Sequence, residues 1–223
     1  MKNLVLITSI IHTPKLELSY SDIRSFFTPD ERFEQTKKTI QTIKEKIPNS
    51  KILIVECSKL TDEQFNYLNT NCDYFLNLID NIDYVNNIYS QSKALGEGTM
   101  TIAAIKYIKE NNIEYDNFFK ITGRYWLSNS FNYENFCNTD VVVYLIHGNV
   151  HNACTSLYKL HKNNIESLYN FLIHNMNLMI NCIGYEVLFA MFLNSVSNNK
   201  IINLNKIGVS GYIAVSKNEL LDT

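Results

Sequence analysis

Arginine is scarce in this sequence. Only three of its 20 basic residues are arginines, at positions 24, 32 and 124, against 22 acidic residues and a formal net charge of −2. Proteins that bind nucleic acid through its phosphates carry a basic patch, and the composition contains none. We therefore expect no nucleic-acid partner.

The sequence also lacks a C-x-x-C pair and a long apolar run. Its five scattered cysteines favour reduced thiols in an intracellular protein, so we expect a cytoplasmic location, in the host if the protein is viral. No run approaches the ~18 apolar residues of a membrane span, and residues 4–11 lack a signal-peptide cleavage site. A hydrophobic content of 46% and the absence of a low-complexity linker predict a single domain over residues 1–223.

Apolar runs of strand length alternate with helical patterns in the first part of the chain. Strands are predicted at 4–11, 52–56, 74–79 and 117–121, and helices after Pro29, after Thr61 with Phe65 and Leu68 inward, and after the turn Gly96-Glu97-Gly98-Thr99, while 84–95 is expected to be irregular or weakly helical. Strands at 140–146, 153–160 and 201–213 and helices at 165–176 and 184–196 are predicted to follow. This order predicts an α/β fold: a mainly parallel central sheet flanked by helices, with a mixed C-terminal half.

The stretch from Phe118 to Leu127 is the most informative segment. A buried strand breaks at Gly123, and Arg124, Tyr125 and Trp126, the only tryptophan, follow at once. Ligands of open α/β sheets bind at the carboxyl ends of strands, where a forked guanidinium suits a phosphate. The alternative is a surface arginine at an ordinary strand-to-loop junction.

The spelling Lys120-Ile-Thr-Gly-Arg-Tyr125 resembles the K-I-[ST]-G-R-Y segment of small glycosyltransferase-like proteins of bacteria and large DNA viruses. In nucleotide-sugar transferases of the GT-A fold the corresponding strand usually ends in Asp-x-Asp, which holds a divalent metal. The sequence 122–124 is Thr-Gly-Arg instead. The resemblance implies a GT-A-like (Rossmann-like) fold, with a nucleotide-sugar-binding half over about 1–127 and an acceptor half over about 128–223.

The resemblance also implies which residues face the donor. The loop after the first strand and an acidic residue at the end of the second strand would bind the base and the ribose of the donor. The expected donor-binding residues are His12, Thr13, Glu56, Lys93, Gly96, Lys120, Thr122, Gly123, Arg124 and Tyr125. Glu56 could equally be a solvated strand-end residue, and Lys120 inside its strand could face the other side of the sheet.

No metal ligand is assigned. Without Asp-x-Asp, the diphosphate would be held by basic side chains, so a divalent metal (Mn²⁺ or Mg²⁺) is predicted not to be essential. The nearest acidic pairs are Asp80 with Asp83, past the third strand, and Glu114 with Asp116, at the wrong end of the sheet.

One carboxylate stands out on the acceptor side. Glu186 opens an otherwise apolar helix, where it either complements the helix dipole or acts as the general base on an acceptor hydroxyl. The polar stretch 147–156 would cross the acceptor cleft. The expected acceptor-binding residues are Trp126, His147, Asn149 and Thr155.

These features predict a glycosyltransferase that moves a sugar from a nucleotide-sugar to a glycan or glycoconjugate hydroxyl. Glu186 and Arg124 are the catalytic candidates, and a base opposite the leaving group implies inversion. A catalytically silent glycan- or protein-binding module on a transferase scaffold is the alternative from another class. A sugar nucleotidyltransferase is disfavoured, because the sequence lacks its acidic ligands and glycine-rich signature.

Overall fold

The computed structural model describes residues 1–196, 201–216 and 220–222. The strands are β1 Asn3–Ser9, β2 Ser50–Glu56, β3 Tyr74–Asn77, β4 Asn117–Thr122, β5 Tyr125–Leu127, β6 Val141–Val143, β7 Leu157–His161, β8 Ile201–Asn203, β9 Val209–Tyr212 and β10 Leu220–Asp222. The α-helices are α1 Pro29–Lys46, α2 Asp62–Asn71, α3 Ile82–Ile88, α4 Lys93–Glu110, α5 Ile165–His174, α6 Met176–Ile180 and α7 Tyr185–Ser195. None of the helices in these ranges is both long and apolar enough to cross a bilayer.

Local sequence signals determine where the first helices begin. The Thr28 side chain accepts from the Glu31 amide, and the Glu31 carboxylate accepts from the Thr28 amide, while Pro29 occupies the first turn. Thr61 forms the same reciprocal cap with Gln64 at α2. These caps satisfy amides that have no partner inside a helix. Both helices therefore begin where the sequence predicts.

The main sheet has seven strands in the order β3-β2-β1-β4-β7-β6-β8. Strands β3, β2, β1 and β4 are parallel, β7 is antiparallel to β4 and to β6, and β6 is parallel to β8. A small antiparallel sheet has the strand order β10-β9-β5. Its strand β5 starts at Tyr125, three residues after the end of β4. The mainly parallel sheet with a mixed second half confirms the expected fold class, and it places the carboxyl ends of β1, β2 and β4 at one edge.

Alternate residues of the sheet enter two separate cores. Phe118 packs on the face covered by α4, α5 and α7, and Phe119 packs on the face covered by α1. The strand period of two places Lys120 on the same face as Phe118. Its side chain, which has no exposed surface, therefore points toward α4.

Two local predictions are wrong, and a third is right only in part. Phe65 is 46% exposed, so of the two apolar residues expected to face inward from α2 only Leu68 is buried. The segment 84–95, expected to be irregular or weakly helical, contains the end of α3, which is capped by Asn81, the non-helical residues 89–92, and the start of α4 at Lys93. Gly96 and Gly98 consequently lie inside α4 instead of in a turn before it.

Packing explains why these two helical positions are glycines. A Cβ at Gly96 would lie 3.0 Å from the Ile88 carbonyl oxygen, and one at Gly98 would overlap Met179 Sδ. The Gly96 amide donates to the Ser92 carbonyl at 3.2 Å and is not free for a phosphate. The glycines therefore allow α4 to approach α3 and α6.

Candidate functional site

Two adjoining cavities open at the carboxyl edge of β1 and β4. The first cavity lies between the end of β1, the loop 13–24, α4 and residues 213–215. The second cavity lies between β4, α4, residues 155–156 and the start of α7. Both are lined by Tyr20, Lys93, Glu97, Thr122 and Arg124. These shared residues make the cavities two compartments of one cleft.

All three arginines of the chain line the first cavity, with Lys93 as a fourth cation. Arg124 is 7% exposed, and its Nη1 donates to the Tyr212 carbonyl at 3.0 Å. Arg24 donates to main-chain carbonyls at Leu16, Ile88 and Tyr89. In the described part of the chain no carboxylate forms an ion pair with an arginine. Among residues 1–196, 201–216 and 220–222, this buried positive charge therefore has no ion-paired carboxylate.

Arg32 and Arg24 are functional candidates that the sequence reasoning missed. Burial, followed by repulsion from Arg124, lowers the pKa of Arg32 to about 9, and burial lowers the pKa of Arg24. The cause is the loss of water around the guanidinium, which is nearly complete for Arg32 and partial for Arg24. The scarcity of arginine was the available signal, since a chain that otherwise uses lysine places every arginine here.

The turn at Gly123 aims Arg124 into the cleft. The Gly123 amide donates to the Thr8 carbonyl at 2.9 Å, and the Gly123 carbonyl accepts from Thr36 Oγ1 at 3.0 Å. A Cβ on this residue would lie 3.2 Å from Ser9 Cβ. Glycine therefore lets the backbone stay against β1, and the next side chain enters the space between β1 and α4.

A buried ion pair between Lys120 and Glu97 supports the shared wall from behind. Lys120 Nζ also donates to Thr122 Oγ1 at 2.9 Å and to the Thr155 carbonyl at 3.0 Å. Thr8 Oγ1 donates to Glu97 at 2.9 Å. Burial disfavours the charged form of Glu97, but Lys120 and these hydrogen bonds outweigh it and hold the pKa of Glu97 below its usual value. Because Thr122 Oγ1 accepts from Lys120, its own proton is free to point into the cleft.

Glu186 lies in the second cavity, in the first turn of α7. Its Oε1 accepts a hydrogen bond from Thr155 Oγ1 at 3.2 Å. This bond holds the carboxylate against the segment that leads into β7. Thr155 in turn offers its carbonyl to Lys120. Glu186 therefore lines the second cavity together with Arg124 and Lys93, which also line the first.

The cleft contains Thr13, Lys93, Gly96, Thr122, Arg124, Tyr125, Thr155 and Glu186 of the residues expected from the sequence. Gly123 shapes the turn without lining either cavity, and Lys120 is enclosed behind the wall. Gly96 lines the first cavity only with its Cα side, since its amide is used within α4.

Two donor candidates at the sheet edge are not brought into the cleft. Glu56 has no exposed surface, and its Oε1 accepts from the Ile11 and Cys57 amides and from Ser58 Oγ. Burial raises the pKa of this carboxyl. His12 Nε2 lies 2.8 Å from Gln64 Oε1. Both side chains tie the loop after β1 to neighbouring elements instead of facing a ligand.

Three acceptor candidates also lie elsewhere. Trp126 points away from Tyr125 because of the strand alternation, and Lys38 Nζ lies 3.6 Å above its ring. His147 and Asn149 are exposed in and beside a 3₁₀ turn, with His147 in the left-handed region at φ 53°. Neither cavity is lined by these residues.

Acidic side chains are not grouped as metal ligands in the described residues. Asp80 and Asp83 are exposed, whereas Glu114 and Asp116 pair with Lys2 and Lys162 at the opposite edge of the sheet. Glu97 and Glu186 are the carboxylates that line the second cavity, and the first of them is already paired with Lys120.

Comparison by sequence finds no matching family model and no matching curated protein. Comparison of structures finds core-mannan synthase A of Aspergillus fumigatus in an Mn/GDP form, with a TM-score of 0.54 and 7% identity over 96% of this chain and 74% of that one. It also finds the CTP:phosphocholine cytidylyltransferase LicC of Streptococcus pneumoniae, at 0.52 and 13% over 95% and 94%. The apo glycosyltransferase GlyE of S. pneumoniae TIGR4 matches at 0.51 and 9% over 91% and 45%.

At such identities the likeness concerns the fold alone. It agrees with the strand order and with a cleft at the carboxyl ends of the parallel strands. The chain therefore has the mainly parallel α/β fold shared by GT-A glycosyltransferases and nucleotidyltransferases.

Proposed function

We propose that the protein is a glycosyltransferase that moves a sugar from a nucleotide-sugar to an acceptor hydroxyl. The observation that carries the proposal is one cleft in which Arg124 and Lys93 line both compartments and Glu186 lines the second. A displacement at an anomeric carbon needs positive charge on the departing diphosphate and a base on the attacking hydroxyl. The cleft offers both groups: cations that extend from the first compartment into the second, and a carboxylate in the second.

The diphosphate would occupy the first cavity. Arg124 and Lys93 line it and extend to the shared wall, where the oxygen leaving the sugar would develop its charge. A guanidinium binds phosphate oxygens with two parallel hydrogen bonds, which positions the group as well as neutralising it. Core-mannan synthase A of Aspergillus fumigatus has been solved in an Mn/GDP form, so a protein of this fold accommodates a nucleoside diphosphate.

The sugar and the acceptor would meet in the second cavity. Glu186 would take the proton of the acceptor hydroxyl as it attacks, and Thr155 holds the carboxylate in place. Attack from this side with departure toward the first cavity places the two groups on opposite faces of the anomeric carbon. The product would then have inverted configuration.

A nucleotidyltransferase is the second candidate. The observation in its favour is that the cytidylyltransferase LicC covers the chain almost end to end, at 95% of this chain and 94% of that one. The reactions differ in their products: a nucleotidyltransferase releases pyrophosphate from a nucleoside triphosphate, and a glycosyltransferase releases a nucleoside phosphate from a nucleotide-sugar. Product analysis by chromatography separates them.

The test is a thermal-shift screen of UDP-, GDP-, CMP- and dTDP-sugars, with Mn²⁺ and with EDTA. We expect one nucleotide class to raise the melting temperature, because a ligand that binds only the folded state stabilises it by mass action. The shift is expected to persist in EDTA, because basic side chains take the place of the metal. Loss of the shift in EDTA and its return with Mn²⁺ would make the metal-free assignment wrong.

Arg124→Ala is expected to weaken binding of the nucleoside diphosphate by about 1.5–3 kcal/mol, the size of a charge-assisted hydrogen bond. Arg124→Lys should recover only part, since the fork is lost. Isothermal titration calorimetry measures both, and Lys44→Ala on an exposed position of α1 is the control for charge loss. Unchanged affinity in Arg124→Ala would exclude the first cavity as the diphosphate site.

A silent binding module is the remaining outcome. Such a module would bind a glycan or a protein, and the purified protein would show neither sugar transfer nor slow hydrolysis of a nucleotide-sugar.

A further inference from the structure

Arg32 of α1 lies beside Arg124 in the first cavity, although α1 is not part of the sheet edge. Each side chain is 7% exposed, and each lines the cavity. The charge of Arg124 acts on Arg32 strongly enough to oppose its protonation. Two like charges that have been removed from water and lie close together are unfavourable unless an anion joins them.

The hydrogen bonds of this pair leave much of each guanidinium unused. Arg32 donates from Nε to the Ile10 carbonyl at 2.6 Å and from Nη1 to Ser25 Oγ at 3.3 Å. Arg124 donates from Nη1 to the Tyr212 carbonyl and, at 3.4 Å, to Tyr125 Oη. Within the described ranges, the Nη2 groups of both side chains have no hydrogen-bond acceptor.

In the described residues, the nearby carboxyl groups form no ion pair with either arginine. Glu56 attracts Arg32 electrostatically, but none of its contacts within 4 Å is an ion pair, and its Oε1 is occupied by the Ile11, Cys57 and Ser58 donors. Glu97 also lines the cavity, and Lys120 neutralises it. An anion entering the cavity would therefore meet unpaired positive charge.

We propose that Arg32 and Arg124 together form a two-arginine diphosphate site, which binds inorganic pyrophosphate without a nucleoside and without a divalent cation. The tetrahedral phosphate groups offer each guanidinium a pair of oxygens, and the spare Nη2 groups supply the donors. The proposal rests on the proposed function only for the role of this diphosphate as the leaving group. Arg32 would then contact the phosphate directly. It does so from α1, which is distant along the chain from β4 and Arg124.

The experiment measures pyrophosphate binding to the whole chain in EDTA, by calorimetry and by thermal shift. The wild-type protein is expected to bind and to be stabilised. Arg32→Gln is expected to weaken binding about 10- to 150-fold, as the loss of a charge-assisted contact does. Arg32→Lys should lie between the two, because it retains the charge and loses the fork. Lys44→Gln, which removes an exposed charge from the same helix, should bind like the wild type.

Several results would overturn the site. The site would be contradicted if Arg32→Gln bound pyrophosphate with wild-type affinity, or if Lys44→Gln lost as much affinity as Arg32→Gln. Pyrophosphate binding that requires Mn²⁺ would also contradict it. If Arg32→Gln does not fold, Arg32→Lys decides, because a site that does not use the fork predicts no change there. Pyrophosphate must also compete with the nucleotide-sugar found by the screen; simultaneous binding would place it elsewhere.

The inference and the proposed function fail separately. Nucleotide-sugar binding that is unaffected by Arg32 would remove the two-arginine site and leave the transferase. Pyrophosphate binding that depends on Arg32, without binding or turnover of any nucleotide-sugar, would retain the site and remove the transferase.

Discussion

Replacing Glu186 with glutamine is expected to lower kcat by about 10²–10⁴-fold, the usual contribution of a general base. Glutamine keeps the size of the side chain and the acceptor for Thr155, but it cannot take the proton of the attacking hydroxyl. The dissociation constant of the donor should be nearly unchanged, because the base acts only when the acceptor attacks. Initial rates with the donor identified by the screen, together with calorimetry, measure the two quantities.

Glu166 provides a matched control for this experiment. It occupies the second position of α5 as Glu186 occupies the second position of α7, and it is far enough from the cleft to line neither cavity. Glu166→Gln should leave turnover unchanged. Equal effects of the two substitutions, or loss of folding in Glu186→Gln, would indicate that Glu186 serves the helix dipole. Normal turnover with intact folding would assign the proton to another residue.

Lys120→Met is expected to lower the free energy of unfolding by about 3–5 kcal/mol at pH 7, as the removal of one partner from a buried ion pair does. The side chain of Lys120 is 1% exposed and that of Glu97 is 16% exposed, so water can replace only part of the contact that Glu97 loses with the ammonium. Thr122 and the Thr155 carbonyl lose their donor as well. Chemical denaturation followed by circular dichroism gives the value.

The pair Lys106–Glu110, on the surface of the same helix as Glu97, is the control. Lys106 Nζ lies 3.8 Å from Glu110 Oε1, and the two side chains are 55% and 61% exposed. Lys106→Met should therefore lower the free energy of unfolding by less than about 1 kcal/mol. Adding Glu97→Leu to Lys120→Met should restore much of the loss, since no charge is then left buried. Losses that simply add in the double variant would mean that the two groups do not stabilise each other.

The dependence of stability on pH gives a second measure of this pair. The pKa of Glu97 in the folded protein is below its ordinary value of 4.5. Its ionisation therefore stabilises the fold above pH 4.5, and this contribution disappears as the pH falls through the folded value. The difference between wild type and Lys120→Met should consequently narrow under acid conditions. A difference that does not vary with pH would contradict the assignment.

The predictable part of the fold depends on neighbours in the sequence. The caps at Thr28 and Thr61 lie within three residues of the amides they bind, and the strand β4 and its break at Gly123 are contained in one short stretch. The strand predicted at 153–160 instead begins at Leu157, because its start depends on pairing with β4 and β6. The sequence left 84–95 as irregular or weakly helical for a similar reason: α3 and α4 contact each other closely, and this contact stabilises helical segments with a weak pattern of their own.

The site residues divide in the same way. Arg124 follows the end of a strand, and Glu186 lies in the first turn of a helix. These local positions were enough to select both residues as candidates. His12, Glu56 and Trp126 occupy equally suggestive places, but their side chains turn to Gln64, to Ser58 and to Lys38. A strand-end rule identifies the edge of the sheet and does not say which partner each side chain meets.

By itself, then, the sequence determined the order β1-α1-β2-α2-β3 and the strand β4, the parallel arrangement of these four strands, and the placement of a guanidinium after Gly123. These follow from hydrophobic period, capping and chain continuity, all of which act over a few residues. Only the tertiary structure decided that Arg24 and Arg32 join Arg124 and that Lys120 is enclosed by Glu97. The physical reason is that burial and charge pairing arise between segments distant in the chain, and no local pattern specifies which of them the fold brings together.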